Sequence, residues 1–252
     1  MIVYDHPQGS EEWLRARAGK ITASMFKVAR ERVGGLTAQQ SSYVYAIRSG
    51  FDQATALKIA GYKKAPTSET ISRALSGEKV GTFSEAAKNY AFKVAVESIS
   101  GLPMDEGFQS WQMRRGQELE PEARDAYERR SGNLVELASF VTTDCKTFGC
   151  SADGLIGDDG GLEIKCLVSP EAIREAILDH DISPWYDQVQ GGMWITGRDW
   201  WDFVIYCPAL AGVNRELTIW KCERDHAYID ALEADLNEFV ELVNSYIKKL
   251  GG

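Results

Sequence analysis

The sequence predicts an α/β fold: a central mixed β-sheet flanked by helices, with a small all-helical insertion near the front. Helical periodicity with glycine stops fills the first half of the 252 residues, and strand-like runs replace it from Leu134 onward. Beyond Lys165 helices and strands alternate, as they do when helices cover a sheet.

Each element has a local cause. Ser10, followed by Glu12 and Trp13, is an N-cap with acidic first-turn residues, and a second short helix is expected near Thr22 or Ser24, after Gly19. Leu36–Val80 holds three short helical stretches closed by Gly50, Gly61 and Gly77, which predicts a small independent bundle. The expected organisation is a core of residues 1–35 and 81–252 with a helical insertion at 36–80. Ala87, Tyr90, Ala91, Val94 and Ile99 mark one face of a longer helix that ends at Gly101-Leu102-Pro103. Another helix is expected over Gln117–Arg130, with Gly132 as its stop. Residues 134–142, 147–157 and 162–168 then read as strands, the last two joined by Asp158-Asp159-Gly160-Gly161, a hairpin signal. Ser169-Pro170-Glu171 starts a helix running to about His180, and Pro184-Trp185 starts one ending near Gly197. Residues 200–208 and 216–222 are further strands, and Asp225 caps a final helix with Ile229, Leu232, Leu236, Phe239, Val243 and Ile247 on one face.

Composition narrows the function. With 28 Lys+Arg against 37 Asp+Glu, a net charge of −9 and a pI near 5.0, the chain is not a simple basic nucleic-acid coat. Hydrophobic content of 44% and charged content of 26% are ordinary for a globular protein. No apolar run reaches membrane-helix length, and the first residues lack the basic start and apolar stretch of a signal peptide, so a cytoplasmic location is expected. The five cysteines are scattered without a C-x-x-C, so neither a disulfide framework nor a zinc site is suggested. His6, His180 and His226 are isolated from one another, and no phosphate-binding G-x-x-x-x-G-K-[ST] loop is present. Up to Ala126 the chain holds 17 Lys+Arg and 15 Asp+Glu; after it, 11 and 22. Such asymmetry fits one half meeting an anion and the other holding cations, and fits uneven surface charge equally well.

The chemistry concentrates in Ser151-Ala152-Asp153-Gly154-Leu155 and, across the hairpin, Gly161-Leu162-Glu163-Ile164-Lys165. Residues two apart on a strand share a face, so Glu163 and Lys165 project together, and antiparallel pairing brings Asp153 beside them. Two acids and a lysine at one strand end suit a hard divalent cation between the carboxylates. The lysine can then position, and help deprotonate, a water that attacks phosphorus. Spacing alone leaves an ordinary turn and an exposed ion pair as the other reading; the hairpin context favours a site.

At this point the sequence resembles the lambda-type (YqaJ-like) viral alkaline exonucleases, a branch of the PD-(D/E)xK nucleases. Five blocks in the family's order carry the resemblance: Trp13 with Arg17–Ser24, Gly116–Glu120, Ser151–Leu155, Gly161–Cys166, and Gln188-Val189-Gln190 with Met193-Trp194. It implies a restriction-endonuclease-like core, with Asp153 and Glu163 as metal-binding acids, the Ile164 carbonyl as a further ligand and Lys165 as the catalytic lysine. Glu120 matches the upstream acid of a two-metal site, although acids near a helix start are also favoured by the helix dipole. Gln188 matches the glutamine near the active site, and Gln190 is the less certain of the pair. Arg17 and Ser24 match residues that receive a 5′-phosphate, a role their chemistry suits; a surface arginine and a helix cap are the plainer alternatives.

The resemblance further implies a Mg²⁺-dependent enzyme holding two ions, with Mn²⁺ able to substitute. It implies 5′-to-3′ hydrolysis of one strand of double-stranded DNA from its end, leaving 3′ overhangs. A ring-shaped homotrimer, a partner single-strand annealing protein and a phage or prophage origin in a bacterial host complete the expectation. Rival readings are an endonuclease on the same fold and a catalytically inactive DNA-binding assembly protein. The insertion departs from the family. Its L-T-x-x-Q start and A-x-x-x-A-G-Y turn look like the helix-turn-helix of phage terminase small subunits. On that likeness Thr67, Ser68 and Arg73 would face DNA with Lys63 and Lys64 on phosphates; a helical insertion that merely packs is the alternative.

Overall fold

Side-chain caps decide where most helices begin. A computed structural model describes residues 1–104, 111–137 and 139–251, and the chain divides into two compact units, Met1–Arg30 with Asn89–Gly252, and Glu31–Lys88. The first unit opens with strand β1 (Ile2–Tyr4), helix α1 (Glu11–Arg17), strand β2 (Ile21–Thr22), a 3-10 turn (Ala23–Met25) and α2 (Phe26–Ala29). The second holds β3 (Arg32–Val33), α3 (Ala38–Arg48), α4 (Gln53–Ala60), α5 (Glu69–Leu75) and β4 (Thr82–Phe83), and α6 (Glu85–Ser100) leads out of it. The first unit then continues with α7 (Trp111–Ser131), β5 (Phe140–Thr142), β6 (Phe148–Ser151), β7 (Gly154–Ile156) and β8 (Gly160–Lys165). It ends with α8 (Pro170–Ile177), α9 (Ser183–Thr196), β9 (Trp200–Tyr206), β10 (Leu217–Glu223) and α10 (His226–Leu250). The Ser10 hydroxyl accepts the Trp13 amide at 3.2 Å, and the Asp225 carboxylate accepts the Tyr228 amide at 3.0 Å, as capping predicts.

The strands form two four-stranded sheets, β1-β5-β6-β2 and β10-β9-β8-β7, each mixed. In the first, β2 runs parallel to β6; in the second, β8 runs parallel to β9 and antiparallel to β7. The run 147–157, expected as one strand, is therefore two. The break falls at Ala152-Asp153, where the Asp153 amide donates to the Leu162 carbonyl (3.1 Å) and the Asp153 carboxylate accepts the Ile164 amide (2.6 Å). Among the described residues of the run 134–142, a strand forms at Phe140–Thr142 and an isolated bridge joins Glu136 to Leu155. Helix α7 starts six residues before the expected Gln117 and carries Pro121 inside it.

The β7–β8 hairpin forms as expected but turns at residues 157–159, with Ile156 opposite Gly160, so Gly160 and Gly161, expected in the link, lie in the strand. One guanidinium nitrogen of Arg198 donates to the carbonyls of Gly157 (2.8 Å) and Gly160 (2.6 Å), bracing that turn. Strand β8 is covered on both faces. Leu162 and Ile164 pack with Ala123, Tyr127 and Val204, while Phe203 and Ile205 of β9 pack with Trp201, Met193 and Val189. Alternation along β8 therefore puts Glu163 and Lys165 on the face opposite Leu162 and Ile164.

The second unit is a three-helix cluster closed by the two-stranded ribbon β3–β4, which pairs Arg32 with Phe83 and Val33 with Thr82. Thr37 and Gln40 form a reciprocal capping box on α3, and Asp52 caps α4. Tyr43, Val44, Ala46, Ala56, Ala60, Ile71 and Ala74 make the core.

Gly161 tests the packing. It lies opposite Trp201 in the parallel pair, and a Cβ there would sit 2.3 Å from the buried indole. Gly161→Ala is expected to cost about 1–3 kcal/mol of stability through overpacking, read as a lower urea midpoint with an unchanged m-value.

Candidate active site

Glu163 organises the end of β8. Its side chain is buried, with 4% of the residue exposed. Its Oε1 accepts from Lys165 Nζ at 2.7 Å and from Gln188 Nε2 at 2.6 Å. The lysine arrives because it lies two residues along the strand. The glutamine arrives from α9, where Gly191 and Gly192 let the helix lie close. A Cβ on the first would stand 2.6 Å from the Phe26 ring, and one on the second 3.1 Å from Trp201.

Burial strains these charges in a consistent direction. Desolvation pushes the Glu163 carboxyl up to about 8, with repulsion from Asp153 and Glu120 adding to it and Lys165 opposing. Desolvation also raises Asp153, against the pull of Lys165 and the Ile164 amide. Glu120, in α7, is pushed up to about 7 by desolvation and by Asp153, despite its ion pair with Arg124. Burial alone would lower the Lys165 ammonium, but Glu163 and Asp153 outweigh it and hold the group charged. Three acids thus share one lysine and the neighbouring Arg124.

That donor set fits a hard divalent cation: the acids offer carboxylate oxygens, and burial raises the neighbouring Cys150 and Cys166 thiols to about 12, which keeps them protonated and poor ligands. In the present arrangement Glu163 is engaged by Lys165 and Gln188, and Glu120 by Arg124. Among the described residues no three His, Cys, Asp or Glu side chains are gathered as a ready-made metal site. The Ile164 backbone takes part here through its amide, on Asp153.

A small pocket opens beside Glu163 and Gln188; Arg17, Thr22, Ser24 and Ser151 also line it. Asp153, Lys165 and Glu120 are not in that lining. Arg17, the last residue of α1, is clamped. Its guanidinium carbon lies 4.3 Å from the Trp13 ring centre and 5.3 Å from that of Phe140, and Nη1 donates to Ser151 Oγ at 3.0 Å. Burial lowers its pKa, and among the described residues no carboxylate stands within ion-pair distance of it. Glu97 acts on it only from beyond ion-pair distance, so the desolvated guanidinium has capacity left to meet an anion. Ser24, in the 3-10 turn, has its hydroxyl 3.4 Å from that of Thr22 and does not cap a helix.

The other expected residues have different surroundings. Gln190 is buried and structural: it donates to the Glu223 carbonyl and accepts the Asp225 amide. Lys63, Lys64 and Thr67 are exposed in the second unit. Ser68 is occupied in capping α5, and Arg73 is paired with Glu78 at 2.8 Å. Sequence reasoning missed Ser151 as the partner of Arg17 and Arg124 as the partner of Glu120. Strand period and helix spacing could have suggested both, since Ser151 lies two residues before Asp153 and Arg124 four after Glu120.

Solved structures share this architecture. The chain aligns with an alkaline exonuclease, LHK-Exo, from Laribacter hongkongensis with a TM-score of 0.68 and 26% identity, covering 96% of each chain. LHK-Exo in complex with dAMP gives a TM-score of 0.67 and 27% identity over the same coverage. A phage related exonuclease from Haemophilus somnus 129PT gives 0.56 and 15% identity, covering 92% of this chain and 94% of that one, a likeness of fold. Comparison with curated proteins gives no significant match. The fold is the restriction-endonuclease-like one, with mixed sheets flanked by helices. Residues 63–199, more than half of the sequence, match the YqaJ-like viral recombinase domain, and the chain belongs to that family.

Proposed function

We propose that this chain is a divalent-metal-dependent DNA exonuclease that hydrolyses one strand of duplex DNA from its 5′ end. The observation that carries the reading is the half-buried Arg17, with no ion-pair partner among the described residues, in the same pocket as Glu163 and Gln188. An anion site beside a buried acid-lysine centre suits an end-phosphorylated strand whose next phosphodiester is the scissile one. LHK-Exo, the relative of similar length, is an alkaline exonuclease.

Asp153, Glu163 and the Ile164 carbonyl would hold a cation, Mg²⁺ or in its place Mn²⁺, with Glu120 serving a second. Such an ion supplies Lewis-acid stabilisation of charge on the phosphoryl oxygens. The remaining work falls to the chain. Arg17 and Ser24 bind the terminal phosphate, and the Trp13 and Phe140 rings keep the guanidinium aimed. Gln188 fixes the Glu163 carboxylate. Lys165 Nζ, within reach of Glu163, orients a water and receives its proton. The water oxygen bonds to phosphorus, the bond to the 3′ oxygen breaks, and that oxygen is protonated from solvent. Once carboxylate charge is offset, the field that holds the Lys165 proton weakens, so the amine becomes a competent base.

In the wider setting proposed, three copies close into a ring on DNA, and an annealing protein takes up the 3′ overhang in a bacterial cytoplasm during phage recombination. Linear and covalently closed circular duplex separate this reading from an endonuclease: hydrolysis of the circle would sink it.

Lys165→Ala is expected to lower kcat by about a hundred- to a thousandfold, measured on end-labelled linear duplex with Mg²⁺. Arg17→Ala is expected to weaken use of 5′-phosphorylated ends about tenfold and to leave 5′-hydroxyl ends unaffected; equal loss on both would remove Arg17 from phosphate binding.

The raised carboxyls also fix a pH dependence. Each binds its proton more readily in the folded chain than in the unfolded one; for Glu163 the contribution to stability is full below about 4.5 and is lost as pH rises through about 8. A cation on the same oxygens competes with that proton. Thermal unfolding should therefore show Mg²⁺ raising the Tm more at alkaline than at mildly acidic pH. Glu163→Gln should flatten both trends, and a Mg²⁺ effect independent of pH would contradict the assignment.

A further inference from the structure

The second unit takes no part in the site described above, and its charge differs in sign from that of the rest. Residues 31–88 hold eight Lys+Arg and five Asp+Glu; the remaining residues hold twenty and thirty-two. The location of the free cations decides what this unit can do. Helix α5 is poorly equipped to read bases. Arg73 is paired with Glu78, the Ser68 hydroxyl accepts the Ile71 amide, and Glu69 places a carboxylate in the first turn. A recognition helix needs free donors along that stretch.

The uncompensated cations lie one element earlier. Lys58, in the last turn of α4, and Lys63 and Lys64, just beyond it, are all exposed. Among the described residues none of the three stands in an ion pair. Gly61 turns the chain out of α4 between Lys58 and the other two. It adopts a left-handed conformation (φ +71°), and the Tyr62 amide then donates back to the Leu57 carbonyl at 2.8 Å. Tyr62 packs edge-on against Tyr43 with ring centres 6.0 Å apart, and Gln39 Nε2 donates to the Gly61 carbonyl at 3.3 Å. Lys63 and Lys64 therefore leave from a pinned corner of the helix pair.

We propose that this corner, Lys58 with Lys63 and Lys64, binds the phosphate backbone of duplex DNA without regard to sequence. Three exposed ammonium groups at the end of one helix, none in an ion pair, gain by neutralising phosphates and releasing their condensed counterions. Backbone contacts carry no sequence information, which suits an enzyme that must travel over any sequence. The inference rests on the nuclease reading only for the identity of the polyanion.

The test is fluorescence anisotropy of a labelled duplex in EDTA, where no hydrolysis intervenes, across a KCl series. The full chain is compared with its Lys58→Glu/Lys63→Glu/Lys64→Glu variant. Affinity should fall by about tenfold or more, and the slope of log K against log salt should become shallower by about two to three, near 0.9 for each lost contact. The neutral Lys→Gln triple, with the same melting curve as wild type, should lie between them. Affinity and slope equal to wild type in the Glu triple, or in the Gln triple alone, would overturn the assignment. So would loss confined to single strands, or an altered oligomeric state with duplex affinity intact, which would give the surface to another partner. Because binding is read without turnover, a chain that fails to hydrolyse DNA yet keeps the lysine-dependent slope would lose the nuclease reading and retain this surface.

Discussion

A buried carboxylate must find donors or a counter-charge, and around Glu163 that requirement shapes the surrounding elements. With only 4% of the residue exposed, Glu163 takes Lys165 from its own strand and Gln188 from α9. Reaching Gln188 needs a helix lying close to the sheet, hence Gly191 and Gly192 where larger residues would strike Phe26 and Trp201. Asp153 shows the same economy. Its carboxylate satisfies the Ile164 amide, and the bend that lets it do so also separates β6 from β7. The break between the two sheets and the aim of the acid are one feature. The arrangement leaves three acids short of positive charge, which is a poor way to stabilise a fold and a good way to hold a cation.

Much of this was legible because it is local. Period two along Gly161–Lys165 placed Glu163 and Lys165 on one face, and Asp158–Gly161 placed the hairpin that aligns Asp153 with them. Caps at Ser10, Ser169 and Asp225 located helix starts from single residues. What escaped was set by tertiary contact. No pattern in residues 147–157 announces that the strand breaks at Asp153, since the cause is a bond to an amide eleven residues away. The start of α7 at Trp111 escaped for lack of a cap signal ahead of it, although the helix over Gln117–Arg130 was legible and does run through Pro121. The pair Gln188 and Gln190 look alike in sequence; only their neighbours separate one that meets Glu163 from one that ties Glu223 to Asp225.

The acid excess of the chain poses the remaining physical question, since a net charge of −9 repels a polyanion. Long-range attraction is weak at ordinary ionic strength in any case, so the sign of a few placed groups matters more than the total. Arg17 illustrates the point. Partly burying a guanidinium without an ion pair costs free energy, and the two aromatic rings, the Ser151 hydroxyl and the more distant Glu97 carboxylate offset only part of it. A phosphate in that pocket would recover the rest, and it would do so at short range, where the distant acids of α10 and the surface are screened. Selective use of charge of this kind would let an acidic protein act on DNA, with acids gathered where a cation could neutralise them and cations without ion pairs placed where a phosphate could.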